Sequence, residues 1–309
     1  MKRFENILVV SPPGVETTET MKAAERLAKR NGARITVFDA VPPIGITKRR
    51  SADYSTDDLR RMVEQARSNE LAELAAGFPV EAEIVVSTGT LFLEVVRRTI
   101  AFEHDLVMMP PDQAPGVSGL WRASNTMHLL RKCPVPVWVY RSADTGTGDV
   151  LAAVGPFEEA EPSQLDRKII ELGSSLAALQ GGRFHLVHAW GLRGETLLRN
   201  GRVSLPVGEV DRLVEDAWVS ARTAVEKLIA DTGVSAEDVS IHLCKGDPFV
   251  VITEMATSIN PDVVVMGTLA RSGVAGLLIG NTAEKVLGSL DTSVLAVKPN
   301  GFTTPVSLP

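Results

Sequence analysis

Apolar and polar residues come in blocks along this chain, and the sequence of blocks is written twice. Residues 6–10 (NILVV) and 149–154 (DVLAAV) are short apolar, β-rich runs that follow a polar lead and end at proline-containing turns. The period then lengthens. In the first half Met21, Ala24, Leu27 and Ala28 line one helical face, and in the second Leu165, Ile169, Leu172, Leu176 and Leu179 recur at steps of four and three. Gly32 and Gly181 follow and fit the left-handed position that closes a helix. The next segments, 33–43 (ARITVFDAVPP) and 182–192 (GRFHLVHAWGL), align without a gap and read as buried strands.

The correspondence runs on to the end of each half. Long polar-faced helices are predicted near 57–76 and 209–231, the latter with Val210, Leu213, Ala217, Trp218, Ala221, Val225 and Leu228 at helical spacing. Third strands follow at 83–90 (EIVVSTGT) and 241–248 (IHLCKGDP), each leading into a helix start: Thr90 in one half, Asp247 with Pro248 in the other. Fourth strands at 104–110 and 261–268 precede loops of nearly equal length, the helices NTMHLL and NTAEKVL, and last strands at 135–140 and 293–299. Each half therefore reads β-α-β-α-β-α-β-α-β, an α/β pattern that specifies an open, parallel, Rossmann-like sheet with helices on both faces, because parallel strands need right-handed crossovers. The boundaries expected are a first domain at 1–141, a linker at 142–149, a second domain at 150–300 and a tail at 301–309.

Composition narrows the function classes. A 309-residue chain is long enough for two domains, and 44% hydrophobic with 23% charged residues is an ordinary globular balance. Its net charge of -6, without a long run of Lys and Arg, gives no source for counterion-driven binding, so nucleic acid is not an expected partner. The apolar stretch before Pro12 and Pro13 is too short for a leader or a span, so a cytoplasmic protein without membrane insertion is expected. Cys133 and Cys244 form no metal or disulfide pattern and read as small buried apolar residues.

Residues 266–299 (MGTLARSGVAGLLIGNTAEKVLGSLDTSVLAVKP) resemble the signature of the universal stress protein family, Gly-x2-Gly-x9-Gly followed by Ser or Thr. Gly267 and Gly280 hold the outer glycine positions, Ala270 takes the middle one, and Asn281 stands where a hydroxyl usually follows. With two copies and a short linker, the chain resembles the tandem type of that family. The resemblance implies two adenine nucleotide alpha hydrolase-like domains that pair within the chain through 135–140 and 293–299 as an intramolecular pseudo-dimer, with a higher homo-oligomer open and protein partners unnamed. It also implies a stress-response protein that works by binding and association, with ATP or another adenine nucleotide as the ligand class.

The nucleotide site would lie in the second domain. A tight glycine loop and a helix start point backbone N–H groups at one place and favour an anion. Gly267 would turn the chain at the strand end beside Met266 and Thr268, Gly280 would permit close approach or adopt a positive φ, and Asn281 and Thr282 would donate from the helix. By the resemblance, adenine lies against Ala189 and Trp190, or against Ala40 and Val41 in the first half. Ser11 and Gly155 stand near the family's acidic position after the first strand and supply no charge, so no metal is expected on the phosphates. The alternative reading is that Gly267 and Gly280 are turn and packing residues.

Catalytic patterns are thin. His104, His128, His185, His188 and His242 are the available bases, and His185 and His188, three apart on a strand, face opposite sides. Asp105 and Asp262 recur before the fourth strands as turn residues, and Arg271 and Lys285 are the cations nearest the motif. A weak ATP hydrolase or phosphotransferase, or a binder of an apolar metabolite, remain alternatives. In the first half, counting back from Asn125-Thr126 sets Pro111 against Gly267 and Ser124 against Gly280. Proline gives no N–H, and Asp112 adds charge, so any anion is expected in the second half. Trp121 and Arg122 would close the first-half loop over the domain or present it to a partner, the alternative for Trp121 being plain packing.

Overall fold

A computed structural model describes residues 4–44, 55–111, 124–142, 146–155, 157, 163–200, 205–268 and 280–308. The chain divides into two compact units: one of the described residues within Met1–Ser142 and Gly301–Pro309, the other of those within Ala143–Leu269 and Gly280–Asn300. The C-terminal residues 301–308 thus count with the first unit, where Arg97 Nε donates to the Ser307 carbonyl at 3.3 Å.

The first unit runs β1 (Asn6–Val10), α1 (Thr18–Asn31), β2 (Arg34–Val41), α2 (Thr56–Ala76), β3 (Ala82–Thr88), α3 (Leu91–Ala101), β4 (Leu106–Met109), α4 (Asn125–Lys132) and β5 (Val137–Val139). Its strands lie in the order β3-β2-β1-β4-β5, all parallel. The second unit runs β6 (Val150–Val154), α5 (Gln164–Gln180), β7 (Phe184–Trp190), α6 (Glu195–Arg199), α7 (Glu209–Thr232), β8 (Val239–Lys245), α8 (Pro248–Ile259), β9 (Val263–Gly267), α9 (Asn281–Ser289) and β10 (Ser293–Val297). Its order, β8-β7-β6-β9-β10, is the same. In both, the strand order reverses at the first strand of the unit, and the crevice beyond the carboxyl ends there is where open α/β sheets take ligands.

Local chemistry explains the element ends. Gly32 and Gly181 close α1 and α5 at φ 68° and 74°, each amide bonding back to an alanine carbonyl four residues earlier. Ser163 and Asp166 form a reciprocal cap on α5. Asp247 caps α8 ahead of Pro248, whereas Thr90 occupies the cap position of α3 without a side-chain bond. The five residues of β6 are all buried, and α5 packs Ile169, Ile170, Leu172 and Leu176 toward the sheet, each contributing roughly 1.5–3 kcal/mol of apolar burial. Of the two cysteines, Cys133 is buried as expected, but Cys244 is half-buried because β8 is the last strand of its sheet. Helix α6 was not anticipated from sequence: five residues are too few to show a period.

Candidate functional site

Above the carboxyl ends of β6, β7 and β8 the second unit holds a cavity of about 700 Å³. Strand β7 contributes His188, Ala189 and Trp190, the turn after it runs through Gly191 to Gly194, and β8 contributes Lys245 and Gly246. Helix α7 closes one side with Ala217, Ser220 and Ala221, whose small side chains leave the volume open. Phe157 lies on the His188 ring, centroids 4.3 Å apart at 12°, so an aromatic pair forms part of the wall. His188 Nδ1 lies 3.2 Å from the Val154 carbonyl. Gly155 has φ 89°, and a Cβ there would stand 2.7 Å from the imidazole, so only glycine fits under this ring. Its amide donates to Asp166 Oδ1 at 2.9 Å, which commits the nearest buried carboxylate to the backbone.

Of the residues expected to bind a nucleotide, Ala189 and Trp190 line this cavity, and Trp190 Nε1 is buried there without a hydrogen-bond partner. Gly155 sits beneath the lining. The remaining group collects at the exit of β9. Met266 is buried within the strand. Gly267 ends it without a positive φ, and a Cβ there would meet Leu165 Cδ2 at 2.8 Å, so this glycine serves packing against α5 rather than a tight turn. Thr268 is fully buried, and its hydroxyl accepts from Lys298 Nζ at 2.6 Å. Gly280 is the cap of α9 at φ -64°, so the positive φ expected of it is corrected. Its amide donates to the Thr268 carbonyl at 2.9 Å and is unavailable to a ligand. Asn281 is exposed and Thr282 half-buried in the first turn of α9. Ala270 and Arg271 lie outside the described residues, as do Asp112, Trp121 and Arg122.

Lys298 was missed by sequence reasoning. It is 1% exposed at the end of β10, and a lysine that ends an apolar strand reads as a surface residue unless the fold above it is known. The histidine spacing was read correctly but its partner was not: His185 Nδ1 lies 3.1 Å from His242 Nε2 on the neighbouring strand. Among the described residues no group of three His, Cys, Asp or Glu is placed to hold a metal ion.

At the equivalent strand ends of the first unit, polar side chains pair with one another. The strand registers pair Val41 with Thr88 and Trp190 with Lys245, so Asp39 corresponds to His188. Asp39 is fully buried and accepts from Arg67 Nε of α2 at 2.7 Å, while Arg67 Nη2 reaches the Ser11 carbonyl at 2.7 Å. Thr88 Oγ1 donates to Glu64 of the same helix. Ala40 and Val41 are each only 6% exposed. Long polar side chains from α2 thus reach over these strand ends, where α7 presents Ala217, Ser220 and Ala221 in the second unit. The loop count is also corrected. Asp105 and Asp262 make the same amide bond to the carbonyl at the head of β1 and beside β6, which sets Pro110, not Pro111, against Gly267 and makes the first loop one residue longer. Ser124 caps α4, its hydroxyl accepting from the Met127 amide at 3.2 Å, as Gly280 caps α9.

No helix among the described residues is long and apolar enough to cross a membrane. Comparison with known proteins agrees with the repeat. Universal stress protein E of Escherichia coli K12 is 28% identical over 324 aligned positions, covering 100% of this chain and 98% of that protein. The homologue from Photorhabdus laumondii is 26% identical over 99% of this chain. Among solved structures, a protein of unknown function from Pseudomonas aeruginosa PAO1 superposes with a TM-score of 0.69 at 24% identity, covering 97% of this chain and 95% of its own. A universal stress protein from Archaeoglobus fulgidus gives 0.63 at 17% identity over 95% and 97%. These likenesses support the fold. The sequence profile of the universal stress protein family matches residues 3–141 and again 150–298, so this chain, with one domain in each half, belongs to the universal stress protein family.

Proposed function

We propose that the protein works by binding rather than turnover, and that its second domain takes an adenine nucleotide, held without a metal ion. The observation that carries this reading is the cavity of about 700 Å³ at the carboxyl ends of β6 to β8, of the size that small-molecule sites have. The Trp190 indole and the Phe157–His188 stack give flat apolar faces for a purine, and Lys245 supplies a cation at the rim. A non-nucleotide apolar metabolite is the second reading, favoured by Leu192, Leu197 and Pro248 in the same lining.

Calorimetry on the full chain with ATP, ADP and AMP, with and without Mg²⁺, tests the first reading. Binding is expected, and Ala217→Trp, which fills the cavity, is expected to weaken it by at least about tenfold. Binding that is indifferent to Ala217→Trp would sink the site. Phosphate release from Mg²⁺-ATP that disappears in that variant would make the protein a hydrolase instead. An apolar compound in the mass spectrum of material released on denaturing fresh protein would favour the second reading. Association of the two halves through their last strands is part of the same proposal. Residues 1–145 and 146–309, expressed separately and mixed, are expected to elute together from a sizing column; independent elution would refute it.

A further inference from the structure

We infer that the cavity of the second domain carries an anion subsite of its own, built on Lys245 and engaged by the carboxylate of Glu195. This inference rests on the reading of that cavity as the ligand site. Glu195 lines the cavity from α6, and both of its oxygens are engaged by Lys245 Nζ, at 2.9 Å to Oε1 and 2.7 Å to Oε2. Arg199 Nε adds a third contact at 2.8 Å to Oε1. One carboxylate gripped by two cations is the arrangement in which a phosphate or carboxylate of a ligand is held.

The carboxylate sits there on a displaceable arm. Helix α6 has five residues and no buried side chain, and it follows Gly194 at φ 79°, a position where a Cβ would touch nothing. Arg199 has a second acceptor, Asp211 Oδ1 at 2.9 Å, which can keep it in place when Glu195 leaves. Lys245 is 43% exposed and lies 5.9 Å from the centre of the Trp190 ring, so a ligand with its ring on the indole has this ammonium beside its anionic end. Arg193 on the same lining adds positive charge. At the β9 exit, by contrast, the Gly280 amide is already bonded to Thr268 and the Thr268 hydroxyl to Lys298. Among the described residues the cation placed to meet an incoming anion is therefore Lys245 at β8, and Glu195 competes with the ligand for it.

The two residues should act in opposite directions. In calorimetry on the full chain, Lys245→Gln is expected to weaken AMP binding about tenfold and Glu195→Gln to strengthen it about threefold to tenfold, in line with the worth of one charge-assisted contact. Adenosine, which has no anionic group, should bind all three proteins within about twofold, and Lys245→Arg should restore the affinity for AMP. AMP affinity unchanged in both variants, or shifted in the same direction, overturns the subsite. Inorganic pyrophosphate alone separates this from failure of the adenine reading. It should raise the melting temperature of Glu195→Gln more than that of the parent, and that of Lys245→Gln least. Equal shifts in the three proteins overturn the subsite whether or not adenine compounds bind.

Discussion

Asp39→Ala is expected to cost the protein about 3 kcal/mol, the largest single effect foreseen outside the apolar core. Asp39 is fully buried on β2 and takes two hydrogen bonds, from Arg67 Nε at 2.7 Å and from the Ala40 amide at 2.8 Å. Burial pushes its carboxyl above the usual carboxylate range and outweighs the opposing pull of Arg67, so this ion pair is costly to bury. Removing the carboxylate strands a guanidinium only 13% exposed, left with the Ser11 carbonyl and the exposed Glu70. Because the damage is a guanidinium that has lost its buried partner and not the lost pair itself, Asp39→Ala/Arg67→Met should be less unstable than Asp39→Ala by about 1–2 kcal/mol. Urea denaturation of the single and double variants decides it. A double variant as unstable as the sum of the singles would show that the stranded guanidinium is not the source of the loss.

Stability should also fall on mild acidification. Burial, reinforced by the charge of Arg98, holds His104 down to about 4. Burial likewise holds His185 and His242 below their ordinary range, and His242 feels His185 as well. Each binds fewer protons folded than unfolded, so stability is lost as pH drops below about 6.5, and the loss from His104 is complete near pH 4. With an allowance for partial screening, His104 contributes on the order of 2 kcal/mol to that slope. Denaturation midpoints from pH 7.5 to 4, compared between the parent and His104→Asn, are expected to converge as pH falls. Parallel curves for the two proteins would remove His104 from the account. The His185–His242 pair adds to the slope because a doubly protonated pair 3.1 Å apart repels.

An asymmetry in anion binding between the halves is an expectation from the sequence. Sequence reading located it in Pro111 and Asp112 at the fourth loop. The described residues also differ at α2 and α7, where Arg67 and Glu64 reach over the strand ends of one unit while Ala217, Ser220 and Ala221 lie beside those of the other. Polar residues on a helix look alike in a sequence whether they point to solvent or across a strand end. The choice depends on the register between helix and sheet, which is set by contacts far apart in the chain. The same holds for Lys298, whose burial is decided by what packs over β10.

What the sequence determined by itself is whatever rests on local periodicity and backbone chemistry. The doubled strand and helix order, the left-handed glycines at 32 and 181, the Asp247-Pro248 helix start and the parallel sheets all follow from patterns a few residues long, read twice. Tertiary structure alone decided which of those residues meet. It carried Ala189 and Trp190 to a cavity over β7 and β8, and it closed Gly267, Thr268 and Gly280 on one another and on Lys298. It also brought Glu195 from an unforeseen helix onto Lys245, 50 residues away. A glycine's φ, a threonine's partner and a cavity's volume are properties of neighbours in space, and a repeat that fixes strand order leaves them free.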